Sequence, residues 1–83
     1  MSKGDPIPQL PADAPKAGEV YKHYKGDLYK IVGLAIDSID QWAVVYEPQY
    51  ENPAAPLFVR PLREWREVVE WEGKRVDRFS RIQ

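Results

Sequence analysis

A single histidine, His23, stands in the run GEVYKHYKG of residues 18–26, with Lys22, Lys25 and Lys30 interleaved among Tyr21, Tyr24 and Tyr29. An imidazole with an unperturbed pKa of about 6.5 changes between neutral acceptor and cationic donor near physiological pH. Cationic side chains set among aromatic rings offer donors beside stacking faces, the composition of sites for nucleotides and single-stranded nucleic acid. Arg60 ends the apolar stretch LFVR just before Pro61, where a fixed backbone would hold a guanidinium able to fork onto a carboxylate or phosphate. Arg78 beside Phe79 repeats the arrangement, and Tyr46 and Tyr50 add two phenols from the middle of the chain. The candidate ligand-binding residues are therefore Tyr21, His23, Lys25, Tyr46, Tyr50, Arg60 and Arg78. A structural reading stands beside each: tyrosines fill a small interior, lysines coat its rim, backbone satisfies His23, and Arg60 pairs with Glu47, Glu64 or Asp77.

Other chemistries find less support. A Ser-His-Asp constellation would have to use Ser2, Ser38 or Ser80, and none sits in a nucleophile turn. With no cysteine and one histidine, a transition-metal site would need at least two carboxylates beside His23, and no metal-ligand spacing is present. Asp37 and Asp40 are the nearest approach to a pair of catalytic carboxylates, and their simpler reading is a solvated hairpin turn with an Asx bond. The five glycines are scattered, which excludes a phosphate cradle. No catalytic residue, metal or cofactor is assigned.

The elements that would position these groups are short. Eighty-three residues give room for one small domain, which buries only around 60–65% of its unfolded surface and needs large side chains to hold together. Three Trp, five Tyr and two Phe supply them. A formal charge of -1 leaves no global field to attract nucleic acid or anionic lipid, so any anion site must be local. No segment has the roughly 20 apolar residues of a membrane span, nor the apolar core of a signal peptide, and the expectation is a cytoplasmic protein without membrane contact.

Four of the eight prolines fall within residues 6–15, so 1–17 reads as a flexible, proline-rich arm and 18–83 as a single β-rich domain. Strands are expected at GEVYKHYKG, LYKIVGLAI, WAVVYEP and LFVRP. Gly26-Asp27 and Asp37–Asp40 read as turns, and Gly33 as a bulge. Leu62, Trp65, Val68 and Val69 follow helical spacing, which predicts a short helix from Leu62 to Trp71 closed by Gly73, with KRVDRF extended after it. The fold class is mainly β: a small SH3-like barrel, or a strongly bent antiparallel sheet carrying one short C-terminal helix.

Taken together, GEVYKHYKGDLYKIVGLAIDS, WAVVYEPQY, PLFVRPLREW and GKRVDRF resemble the domain of unknown function 1653 family of small bacterial and phage proteins, from Gly18 to Phe79. The resemblance implies a compact, mainly β domain and draws attention to Tyr21, His23, Tyr24, Lys25, Gly26, Tyr29, Tyr46, Tyr50, Arg60, Pro61, Arg78 and Phe79, without assigning them a reaction. Two departures stand out. Where relatives carry a second histidine and an acid, this chain reads Ile36-Asp37-Ser38-Ile39-Asp40, and in Gln49-Tyr50-Glu51-Asn52 only the tyrosine of the family block is kept.

The leading functional expectation is a binding module that recognises an anionic or planar ligand (a nucleotide, nucleic acid or modified peptide) through a Tyr/His/Lys/Arg pocket. The alternative is a protein-interaction or assembly adaptor, a homodimer included, docking through exposed Trp42, Trp65 or Trp71. A small hydrolase with His23 as base is the third reading.

Overall fold

A computed structural model describes residues 8–49 and 57–83. Five strands form one antiparallel sheet: β1 (Val20–His23), β2 (Leu28–Ile36), β3 (Trp42–Pro48), β4 (Phe58–Pro61) and β7 (Phe79–Arg81), in the spatial order β4-β3-β2-β1-β7. A separate hairpin, β5 (Val68–Trp71) with β6 (Lys74–Asp77), and one helical turn, α1 (Leu62–Trp65), complete the ordered elements.

The turns follow their residues. Gly26, at φ 111°, donates its amide to the His23 carbonyl at 2.7 Å and closes the β1–β2 corner. Between β2 and β3 the Asp37 carboxylate accepts amide hydrogen bonds from Ile39 at 2.9 Å and Gln41 at 3.0 Å, the Asx turn expected at that hairpin. Replacing Asp37 with alanine removes both bonds and should lower stability by about 1–3 kcal/mol, at 0.5–1.5 kcal/mol per net bond. A lower urea midpoint with an unchanged slope would show it, and Asp37→Asn should recover most of the loss. The β2–β3 register shifts between Ile31 and Gly33, so the extra residue is Val32, one before the Gly33 at which a bulge was expected, and it adds curvature.

That curvature decides between the two expected architectures. β4 and β7 are the two edges of the sheet and do not pair with each other, so the barrel is not closed. In a flat sheet four strand spacings of about 4.8 Å would separate these edges by ~19 Å. Yet the Arg60 guanidinium of β4 lies 5.7 Å from the Phe79 ring of β7. Trp65, just past β4, stacks on the same ring at 3.7 Å with an interplanar angle of 4°. The sheet is strongly bent, and aromatic packing bridges the gap that hydrogen bonds would close in a barrel. Ile31, Val44, Tyr46, Leu62, Trp65 and Phe79 form the buried cluster on its concave side.

The predicted helix is shorter than its periodicity suggested. Leu62 and Trp65 are buried and α1 ends there, whereas Val68 is half exposed. Residues 68–71 instead pair with 74–77 through a turn at Glu72 (φ 52°) and Gly73 (φ 76°). Two consecutive positive φ angles make the tight hairpin turn that matches strand twist, so Gly73 serves a hairpin and not a helix cap. The β-branched Val68-Val69 pair favours that outcome.

Residues 8–17 contain neither helix nor strand, and this part of the arm lies against the sheet. Ala14 is buried, and the Trp42 indole donates to the Pro8 carbonyl at 2.8 Å.

Candidate functional site

Register carries His23 and Arg60 to one face. Opposed residues in an antiparallel ladder share a side, as do residues two apart along a strand. His23 opposes Phe79, and Tyr21, two residues before His23, opposes Tyr29. Ile31, two beyond Tyr29, opposes Tyr46, and Val44, two before Tyr46, opposes Arg60. The bend then folds this face onto itself. The His23 ring meets Phe79 edge-on at 5.1 Å, and the Arg60 guanidinium lies 5.7 Å from the same ring. Phe79 is thus the shared floor under an imidazole and a guanidinium from strands at opposite sides of the sheet.

The electrostatics agree with that convergence. Burial pushes the His23 pKa below its usual 6.5, and the charges of Arg60, Lys25 and Arg78 push it further down against a smaller opposing effect from Asp27. The amide of Lys25 donates to His23 Nδ1 at 3.1 Å. An accepting Nδ1 places the proton of the neutral ring on Nε2, and protonating Nδ1 would break that bond. At neutral pH His23 is therefore an uncharged N–H donor among three cations.

Each arginine has a glutamate partner but keeps an unused donor. Arg60 Nη1 lies 3.3 Å from Glu64 Oε1, and Arg78 Nη2 lies 3.9 Å from Glu67 Oε1. Glu64 was among the structural partners expected for Arg60. Both pairs are solvent-accessible, and such pairs contribute roughly 0–1 kcal/mol. The Nε–H groups of Arg60 and Arg78 are buried without a hydrogen-bond acceptor among the described residues. The side chains themselves remain 29% and 23% exposed. Buried donors are nearly always paired, and leaving these two unpaired costs folding free energy, as it does for the Trp65 indole N–H.

The other candidates fall around this centre unequally. The Lys25 ammonium lies 5.8 Å from the Tyr24 ring and 5.9 Å from Trp71, extending the basic and aromatic surface past His23, whose ring is 4.3 Å from that of Tyr24. His23, Tyr24 and Trp71 also line a cavity of about 240 Å³ with Lys22, Val76 and Ile82. Tyr46 does not line a pocket: only 5% exposed, it packs edge-on to Tyr29 and Trp65 and supports the site from beneath. The Tyr21 hydroxyl donates to Glu19 at 3.2 Å, and burial with the Glu19 charge raises its pKa to about 12. Tyr50 lies outside the described residues. Trp65, expected among the exposed docking aromatics, is a core residue at 2% exposure. Sequence reasoning missed Glu67 as the counter-charge of Arg78, a pairing between residues eleven apart that has no local spacing signal. Among the described residues no group of three or more His, Asp or Glu side chains is placed to hold a metal.

A bent, open β-sheet with an aromatic concave face and a basic cluster at its mouth defines the structural class. The chain belongs to the family described as protein of unknown function (DUF1653), whose model matches residues 19–81. It is similar to the crystal structure of a DUF1653 protein from Bordetella bronchiseptica, at 37% identity and a TM-score of 0.75, over 84% of this chain and 88% of that one. No curated protein matches.

Proposed function

We propose that this chain is a small binding module for anionic ligands with a planar group, of the nucleotide class, and that it performs no chemistry on them. The observation that carries the reading is the convergence of Arg60 and His23 on the Phe79 ring, with Lys25 and Arg78 near enough to lower the imidazole pKa. A phosphate or carboxylate can accept from the exposed parts of these guanidinium groups, and hydrogen bonds to charged donors are the strong ones. Tyr24 and Trp71, in edge contact at 5.2 Å, stand next to the cluster and offer faces to a planar group. The adaptor reading rests on less: Trp65 is in the core, Trp42 is engaged by the arm, and Trp71 is exposed with no hydrogen-bonded partner for its indole among the described residues.

Titrating the full chain with inorganic phosphate and with adenosine monophosphate at low salt, followed by NMR, tests the proposal. Both should move the His23 ring signals and the Arg60 and Arg78 Nε–H signals saturably, with the nucleotide the tighter and also moving Trp71. Should millimolar concentrations of both leave the histidine and arginine signals where they began, there is no anion site here.

A further inference from the structure

A second groove lies away from the basic cluster, between β3 and α1. It has a volume of about 400 Å³, and Gln41, Trp42, Leu62, Arg63 and Arg66 form its walls. Pro8, Gln9 and Pro11 of the proline-rich arm form its remaining wall, so the arm lies across the groove and the cavity is the space left between them. Two polar contacts hold the arm there: the Trp42 Nε1–H donates to the Pro8 carbonyl at 2.8 Å, and Arg66 reaches Asp13 at 3.4 Å. Arg63 bonds the Gln41 side chain and stiffens the wall between them.

These parts match the physics of reading an extended proline-rich segment. A polyproline II segment makes no internal hydrogen bonds, so its carbonyls are free to accept, as that of Pro8 does, and prolines three apart in it fall on the same side; the arm turns after Pro11, whose carbonyl accepts from the Ala14 amide at 3.1 Å. Its prolines have already fixed φ, so little entropy is lost on docking. The complementary surface is an aromatic groove with one ring N–H donor and a basic residue to set direction, as Trp42 and Arg66 provide. The arm lies lightly on this surface. Pro8, Gln9 and Leu10 are exposed, Trp42 is only half-buried, and the ion pair to Asp13 is at the surface. None of these arm residues belongs to the core cluster, so lifting the arm as far as Asp13, short of the buried Ala14, would not open the interior.

We propose that the Trp42 groove is a recognition site for proline-rich segments of a partner protein that carry an acidic residue shortly after the second proline, and that the chain's own arm is its occupant in cis. A partner segment then binds by displacing residues 8–13, and the arm sets the affinity by competing at the effective concentration of a tethered ligand, in the millimolar range for a short link.

The test uses the full chain and a synthetic peptide of sequence DPIPQLPADAPK in trans. In the variant Pro8→Gly/Pro11→Gly/Asp13→Asn, whose arm is weakened, the peptide should shift the Trp42 indole N–H signal saturably. The apparent affinity should be at least ten-fold tighter than for the unaltered chain. A peptide with alanine at every proline should have no such effect, and adding Trp42→Phe to the variant should abolish the peptide response of the Arg63 and Arg66 amides. Dispersed amide spectra establish that each variant is folded. An indole signal unmoved by peptide in the weakened-arm variant overturns the proposal, as does an equal response to the alanine peptide. A shift that follows protein concentration and not peptide would assign the groove to a second copy, and overturns it too.

Discussion

Replacing Trp65 with alanine should remove about 3–5 kcal/mol of folding stability. The indole is 2% exposed, stacks on Phe79 at 3.7 Å and meets Tyr21 and Tyr46 edge-on at 5.3 and 4.9 Å. Truncating a buried Trp costs about 3–5 kcal/mol, and a chain of this length has roughly 4–12 kcal/mol in total. The position matters as much as the area. Trp65 follows β4, Phe79 belongs to β7, and no ladder joins these edge strands, so the stacked pair is the contact that keeps the bent sheet from opening. Trp65→Phe is the informative control. It keeps a ring on Phe79 and removes an indole Nε1–H that is buried without a partner among the described residues, a group whose burial costs about 1–3 kcal/mol. That relief should offset most of the lost volume and leave the variant within about 1.5 kcal/mol of the parent. Urea unfolding followed by far-UV circular dichroism measures both, and a Trp65→Ala loss below 1 kcal/mol would mean that something else holds the edges together.

The strands were legible because each is short, β-rich and stopped by a residue with a steric reason to stop it. LYKIVGLAI and WAVVYEP match β2 and β3 end to end, and Pro61 is the last residue of β4. The helix was over-read for an equally physical reason. Leu62 and Trp65 do bury one helical face, but the same three-residue step lands on Val68, which a strand places just as well. Glu72-Gly73 could be a helix end or a hairpin turn. Only the β-branched pair before it and a partner strand after it separate the two, and that partner is a tertiary fact. Barrel closure was equally beyond local reading, because it depends on whether two edge strands pair, and here aromatic rings fill the space between them.

The site divides along the same line. Residue type marked His23, Lys25, Arg60 and Arg78 as a basic set, and strand alternation alone places His23 and Arg60 on the concave face once the pairing order is known. Alternation could not tell which tyrosines turn outward. Tyr46 alternates like a rim residue, yet it lies at the centre of the sheet on β3, flanked by Ile31 and Phe58, and is buried there by position. The arm's seat on Trp42 joins residues 34 apart and has no local signature.

Substituting both arginines, Arg60→Gln with Arg78→Gln, should raise the His23 pKa toward 6.5 and weaken phosphate binding by more than ten-fold. Two of the three cations that depress the imidazole are removed, leaving Lys25, and Asp27 then acts in favour of the imidazolium. Each hydrogen bond to a charged group is worth about 1.5–3 kcal/mol, so losing both charges removes at least one decade of affinity. The glutamates left behind, Glu64 and Glu67, are solvent-exposed enough that stability should change little. The pH dependence gives the sign. In the parent chain the folded pKa of His23 lies below 6.5, so the unfolded state binds more protons in that window. The stability tied to a neutral His23 is complete above pH 6.5 and is lost as pH falls through the folded value. A bound anion opposes that loss by stabilising the imidazolium, so phosphate affinity should rise as pH is lowered below 6.5, once correction is made for the charge of phosphate itself. Sulfate, which stays dianionic across that range, should show the same rise without correction. In the double variant His23 should titrate higher and the rise should flatten. NMR titration of the His23 ring in both proteins, with and without sulfate, reads all of this at once; a histidine that titrates identically in the two would mean that Arg60 and Arg78 do not share its field, and the anion site would have no centre.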